Sequence, residues 1–265
     1  MAKALLYLDE NLASSIALRY VDYLNSLLEI ETFIIHVVEP DEKEQAGTGW
    51  VRRTWETGML ESGQATISRL LKTEKVKCSF GGPPIIKIGD KEREILQELR
   101  VGAYDIFIEG HLPISKSDDF FELIESDLYQ NAPCSILCVK NLSVSKTIGV
   151  LVGNGVQPEP VAFTLDKLIK NSEMEIELIH YSFKDVDTLE FVNSQEAELI
   201  LKKSKESFLQ KGLNISNSHA VTGTSEALGD FLINYAFVAC SLMPSKSIIS
   251  EALAQSPNSV LLCKD

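Results

Sequence analysis

Ten residues, Asn131-Ala-Pro-Cys-Ser-Ile-Leu-Cys-Val-Lys140, return near the end of the chain as Gln255-Ser-Pro-Asn-Ser-Val-Leu-Leu-Cys-Lys264. Pro133, Ser135, Leu137 and Lys140 align with Pro257, Ser259, Leu261 and Lys264, and an aliphatic residue follows each serine. Earlier landmarks recur in the same order. Ile34-Ile35-His36 is echoed by Leu178-Ile179-His180, and Tyr104-Asp-Ile-Phe-Ile108 by Tyr235-Ala-Phe-Val-Ala239. Internal repetition constrains a fold strongly, because each copy must build the same kind of unit. The 265 residues therefore divide into a first domain, 1–141, and a shorter, more degenerate second domain, 145–265. Both are of ordinary domain size. The join at Asn141–Ser145 is short, so the halves are expected to pack together.

Within each half, strand and helix signals alternate. In the first, strands are expected at Lys3–Leu8, Thr32–Val38, Ile85–Ile88, Tyr104–Ile108 and Cys134–Val139. Helices are expected after Asp9 or Asn11 (with Leu12, Ile16, Tyr20, Leu24 and Leu27 at helical spacing), at Thr54–Lys72, after Asp90, and at Asp118–Gln130. Two glycines weaken the second helix, and Asp41–Arg53 reads as a loop. In the second half, strands are expected at Thr147–Val152, Glu175–His180, Asn214–Val221, Ala236–Cys240 and Ser259–Cys263. Helices are expected at Pro158–Lys170, Thr188–Lys211, Thr224–Asn234 and Ser247–Ala254. Alternation of this kind implies parallel sheets with right-handed crossovers. The fold class is α/β: two tandem doubly wound, Rossmann-like domains, lying side by side as two layers rather than as one continuous sheet.

Charge and cysteine content narrow the functional classes. With 25 basic against 38 acidic residues the net charge is −13. No basic stripe is visible, and nucleic-acid binding depends on Lys and Arg neutralising phosphates. Glu39, Asp41, Glu42 and Glu44 read as a solvated acidic loop. The longest apolar runs fall below the ~18 residues that span a membrane, and Asp9 interrupts the N-terminal run too early for a signal peptide. Five cysteines, Cys78, Cys134, Cys138, Cys240 and Cys263, lack C-x-x-C or zinc-finger spacing and read as buried thiols in a reducing, cytoplasmic setting.

Ligands of open parallel sheets bind beyond the carboxyl ends of the strands. In the first half these ends are Asp9, Val38-Glu39, Gly89-Asp90 and Glu109-Gly110. An Asp closing the first strand, a His-Val late in the second, a Gly after the fourth and Ala-Pro-Cys before the fifth resemble the universal stress protein family over nearly the whole chain. ATP-binding members carry Gly, two residues, Gly, nine residues, then Gly-Ser or Gly-Thr. Small residues there let backbone N–H groups close on phosphates, assisted by a helix N-terminus. This sequence keeps Gly110 but has Pro113 at the second glycine and, after eleven intervening residues, Glu125-Ser126 at the third. Proline lacks the donor. Asp118, Asp119 and Glu122 outnumber Lys116, and each carboxylate ~4 Å from a phosphate charge costs roughly 1–4 kcal/mol. The second half ends its first strand in Gly153-Asn154, and Ser241-Leu-Met-Pro-Ser245 carries no glycine. Its loop is also shorter.

The resemblance implies a non-enzymatic stress-response or regulatory protein acting through protein contacts or self-association, without a bound cofactor, catalytic residues or a metal. It further implies dimers in which fifth strands pair. Cys134–Val139 and Ser259–Cys263 would then join antiparallel as an intrachain pseudo-dimer. The alternative is an adenine-nucleotide sensor or weak ATPase, with ATP or AMP in the first half. Asp9 and Val38 would hold adenosine, and Gly110 and Ser126 would approach the phosphates. Gly153-Asn-Gly155-Val-Gln-Pro158 imitates a dinucleotide fingerprint, but Pro158 fits an ordinary helix start. His36 and His180, at equivalent positions, are expected to share a packing or hydrogen-bonding role, whereas His111 sits where a ligand would pass. Trp50 and Trp55 flank Arg52-Arg53, a composition found both in packed helix starts and at interfaces.

Overall fold

The computed structural model describes residues 1–40, 49–112, 118–153, 155–244 and 246–264. The first half runs β1 (Ala2–Tyr7), α1 (Leu12–Asn25), β2 (Ile30–Val38), α2 (Trp50–Glu74), β3 (Ile85–Ile88), α3 (Lys91–Gly102), β4 (Ile106–Gly110), α4 (Asp118–Glu125), α5 (Asp127–Asn131) and β5 (Ser135–Val139). The second runs β6 (Thr147–Val152), α6 (Pro158–Ile169), β7 (Glu175–Phe183), β8 (Glu190–Phe191), α7 (Gln195–Gln210), β9 (Ile215–Gly223), α8 (Ser225–Leu232), β10 (Val238–Ser241), α9 (Ile248–Gln255) and β11 (Val260–Cys263).

Strand order is the same in both halves. Parallel pairing gives β3-β2-β1-β4-β5 in the first and β9-β7-β6-β10-β11 in the second, with β8 added antiparallel at the outer edge. Helices cover both faces, so the central strands are apolar on both sides, as parallel sheets require. Residues Ala4, Leu6, Ile34, Ile106, Ile108 and Leu137 face the α1 layer. Leu5, Ile35, Phe107 and Ile136 face the layer of α3, α4 and α5. This is the doubly wound α/β fold expected from the alternation.

The expectation of two layers without a continuous sheet is corrected. β5 and β11 pair antiparallel, with Ile136 opposite Leu262, Leu137 opposite Leu261 and Cys138 opposite Val260. The result is a single sheet of eleven strands. The physical reason is that each half ends in a strand with a bare edge, and pairing the edges satisfies backbone groups that burial would otherwise strand.

The repeated ten-residue segment builds this junction. The Lys140 N–H donates to Ser259 Oγ (3.2 Å) and the Lys264 N–H to Ser135 Oγ (3.3 Å). Lys140 Nζ donates to the carbonyls of Leu253 (2.7 Å) and Ser256 (3.3 Å) at the end of α9. Lys264 Nζ donates to those of Gln130 and Ala132, both at 2.9 Å, at the end of α5. Each half's last lysine thus caps a helix of the other half, where orphan carbonyls and the negative dipole end favour a cation. Tyr23 Oη donates to Ser145 O (3.0 Å), and Lys167 pairs with Asp105 (2.7 Å) across the same junction.

Several boundaries differ from expectation for identifiable reasons. Trp50–Arg53, expected in a loop, opens α2, while Asp41, Glu42 and Glu44 lie outside the described residues. The helix expected over Asp118–Gln130 breaks at Ser126, whose side chain accepts from the Tyr129 N–H and starts α5. Ser194 caps α7 in the same way, so the preceding residues are free to form β8. Leu12 matches the helical spacing but is 67% exposed. The core stripe of α1 is instead Ala13, Ala17, Leu18, Tyr20, Val21 and Leu24.

Candidate functional site

The strand order reverses direction of growth between β1 and β4, so the first half's crevice lies beyond Leu8-Asp9 and Gly110-His111. Of the four residues singled out from sequence, Asp9 and Gly110 stand at the ends of these two strands, Val38 ends the neighbouring β2, and Ser126 opens α5.

Asp9 is held by the start of α1. Its Oδ1 accepts from Ser14 Oγ (2.7 Å) and the Asn11 N–H (3.0 Å), and its Oδ2 from Asn11 Nδ2 (2.8 Å). Asn11 in turn caps α1 by accepting the Ser14 N–H (2.8 Å). The positive end of the α1 dipole therefore already faces a carboxylate. Val38 closes β2 opposite Ile88. It lies under α2: a Cβ built on Gly63 would come within 2.8 Å of Val38 Cγ2 and 2.7 Å of Ile86 Cγ2. Gly63 is thus the point where α2 touches the sheet, which explains a glycine that helix propensity alone disfavours.

Gly110 is required by packing. A Cβ there would sit 2.0 Å from the Ala13 carbonyl oxygen, so β4 and α1 meet backbone to backbone. Ser126 is the cap of α5 described above. Pro113 and Lys116 lie outside the described residues. Asp118 opens α4 and is exposed, as are Glu122 and Glu125.

Sequence reasoning missed Lys91, Tyr7 and Tyr129, and placed Glu109 only as a strand end and Cys138 only as a buried thiol. Glu109 is 3% exposed, and its Oε2 lies 3.2 Å from Lys91 Nζ. The same ammonium sits 4.4 Å above the Tyr7 ring, a favourable cation–π placement. Glu109 stands opposite Cys138 in the β4–β5 register, and both face the buried Tyr129 hydroxyl. Burial, with Asp9, Glu109 and Glu39 nearby, pushes the Tyr7 hydroxyl above its ordinary range. Burial likewise raises Tyr129, reinforced by Cys138 and Glu109, and pushes the Cys138 thiol up to about 12. Among the described residues, His111 Nε2 is buried without a hydrogen-bond partner, whereas the Tyr129 hydroxyl meets Glu109 and Cys138. Burial and the nearby Lys140 ammonium lower the His111 imidazole. The available signal was one acidic residue, Glu109, ending an otherwise apolar strand.

The second half's crevice closes more simply. The backbone of Gly153 bridges Val156. The N–H of Gln157, the residue that caps α6, donates to Ser241 Oγ at the end of β10 (2.9 Å). Gly153 and Gly155 both adopt φ of +85°, so they serve a tight turn rather than a cofactor loop. Asn154 and Ser245 lie outside the described residues. His180 Nδ1 donates to Val152 O (3.1 Å), as His36 Nδ1 does to Leu8 O (2.8 Å). Both histidines therefore tie a second strand to the end of a first strand, the shared role expected from the repeat. Among the described residues, no group of three or more His, Cys, Asp or Glu is arranged to hold a metal ion, and no helix is long and apolar enough to cross a membrane.

Neither a sequence-family model nor a curated protein matches the chain. Solved structures do. The chain is similar to a universal stress protein from Archaeoglobus fulgidus at 15% identity, covering 99% of this chain and 96% of that one, with a TM-score of 0.60. It is similar to a functionally unknown protein from Pseudomonas aeruginosa at 13% identity, covering 100% and 92%, with a TM-score of 0.55. It is also similar to the cytoplasmic domain of a prokaryotic cation chloride cotransporter at 11% identity, covering 100% and 95%, with a TM-score of 0.52. The likeness is one of fold: the chain has the universal stress protein fold, and its two halves repeat one strand order within a single polypeptide.

Proposed function

We propose that this protein is a non-enzymatic stress-response or regulatory module that works through protein contacts in the cytoplasm. The observation that carries this reading is that each crevice is filled by the chain's own groups. Asp9 occupies the N-terminal end of α1, Glu109 neutralises Lys91, and Ser241 takes the Gln157 N–H. A phosphate entering the first crevice would meet carboxylates at the positions where it needs donors. Five free thiols, four of them buried, suit a reducing compartment. The first turns of α2 offer a contact surface, with Trp50 77% and Val51 45% exposed beside Arg52 and Arg53, residue types favoured at interfaces.

A second reading keeps the first half as an adenine-nucleotide sensor or weak ATPase, with Asp9 and Val38 at adenosine and Gly110 and Ser126 at the phosphates. The buried, unpartnered His111 Nε2 favours it, because such an atom attracts a ligand. Thermal shift decides between the two. A nucleotide present at 100 times its Kd adds ~2.7 kcal/mol of stability. The first reading expects no shift at millimolar ATP or AMP, with or without magnesium. A saturable shift would replace it with the second.

A further inference from the structure

We infer that the outer edge of β3 is a docking site for an extended segment of another protein, which adds antiparallel to the sheet and sets a carboxylate opposite Lys87. The inference deepens the protein-contact reading above and rests on it. β3 lies at one end of the sheet and, among the described residues, pairs only with β2. The Gly89 N–H donates to Val38 O (3.1 Å). Backbone groups alternate sides along a strand, so the N–H and C=O groups of Ile86 and Ile88 point away from β2. Among the described residues, no backbone group bonds to them on that side.

The second half shows what such an edge accepts. β9 holds the equivalent place, and β8 pairs with it antiparallel, with Glu190 opposite Thr222 and Phe191 opposite Val221. The N–H groups of Lys184 and Val192 add bonds to Gly223 O and Ala220 O. Burial follows the cover: Val221, Thr222 and Gly223 are buried, whereas Asn217 and Ser218, beyond the reach of β8, are exposed. All four residues of β3 are only half-buried. The strand contains no proline and no bulge, devices that blunt an edge, and it is apolar except for Lys87. That lysine selects the occupant. If two β3 strands paired through Ile86 and Ile88, Lys87 would face its own copy, and like charges directly opposite are destabilising. An acidic residue in that place is attracted instead. Lys87 lies 3.3 Å from Glu98 and its side chain stays 32% exposed, within reach of a second carboxylate. β8 itself carries this pattern, an acidic residue followed by an aromatic one.

Residue-resolved amide exchange of the full chain, read by NMR, tests the inference. In dilute protein the Ile86 and Ile88 amides are expected to exchange at least about tenfold faster than those of Lys87 and Gly89, which face β2. A capped synthetic peptide of residues 188–193, added at millimolar concentration, is expected to slow Ile86 and Ile88 saturably. The same peptide with Glu190→Lys is expected to slow them less, and Lys87→Glu in the protein to reverse that preference. Protection of Ile86 and Ile88 in the dilute, unaltered chain overturns the inference, because the edge is then already covered. Protection that grows with protein concentration overturns it in favour of a second copy. No slowing by the peptide, or equal slowing by both peptides, overturns it as well. None of these outcomes alters the thermal response to ATP, which tests the protein-contact reading separately.

Discussion

The crevices of the two halves stand at the same topological position and are closed by different means. In the first half the closing groups are charged: Asp9 at the α1 start, and the Glu109–Lys91 pair over Tyr7. In the second they are neutral: a backbone bridge, and a serine hydroxyl accepting one N–H. A neutral closure is complete once its hydrogen bonds are made. A charged closure keeps a buried carboxylate and an ammonium at the crevice, and the neighbouring His111 Nε2 is buried without a hydrogen-bond partner. The difference teaches where change remains possible. The second crevice is closed by neutral groups at the strand ends, whereas the first retains charged groups there.

The sharpest way to break this comparison is at Gly110. If the glycine serves packing, Gly110→Val drives side-chain atoms into the Ala13 backbone and costs at least about 3 kcal/mol, lowering the denaturation midpoint. If it serves a ligand, stability is kept and only ligand response is lost.

Alkaline pH gives the next largest effect. Burial pushes Cys134, Cys138 and Cys263 up to about 12 and raises Cys240 well above its ordinary value. Above the ordinary thiol range near 9 the unfolded chain releases these protons and the folded chain keeps them. Stability is therefore full below pH ~9 and falls as pH rises toward 12, by up to ~1.4 kcal/mol per pH unit for each thiol. Urea midpoints at pH 8, 9 and 10 measure the slope. Cys138→Ala is expected to flatten it, showing how much of the effect belongs to the first crevice.

Ser135→Ala and Ser259→Ala compare the two sides of the junction. Each removes the acceptor of a cross-half N–H, at about 1–2 kcal/mol. Ser135 also bonds Thr164 Oγ1 (2.8 Å), so its loss is expected to be the larger in chemical denaturation. The smallest effect belongs to Ser126→Ala. As a cap it costs about 1 kcal/mol and leaves the thermal response to ATP unchanged, whereas a phosphate-binding serine would alter that response.

The sequence carried the fold more openly than the site. Apolar runs between turn residues marked ten of the eleven strands. β8 escaped because Glu190-Phe191 is two residues long and exposed, with no pattern to read. The helix break at Ser126 escaped because a serine inside an amphipathic stretch only becomes a cap once the chain turns there. At the site, residues were chosen by position: Asp9 follows β1, Val38 ends β2, Gly110 ends β4, and Ser126 caps α5. Their present partners depend on contacts between distant segments, such as Gly110 against Ala13 and Gly63 against Val38, which spacing does not encode. The repeated Ser and Lys were visible throughout. Their work, reaching into the opposite half, becomes legible only with the antiparallel register of β5 and β11.

That register also fixes a stoichiometry. Two separate subunits joined by such a ladder would part on dilution, and each would have to preserve a self-complementary surface. Here one polypeptide supplies both strands, so their local concentration does not depend on expression level. Substitutions on one side need not suit an identical copy on the other. The second copy can therefore diverge in its crevice while its last strand and Lys264 still brace the first.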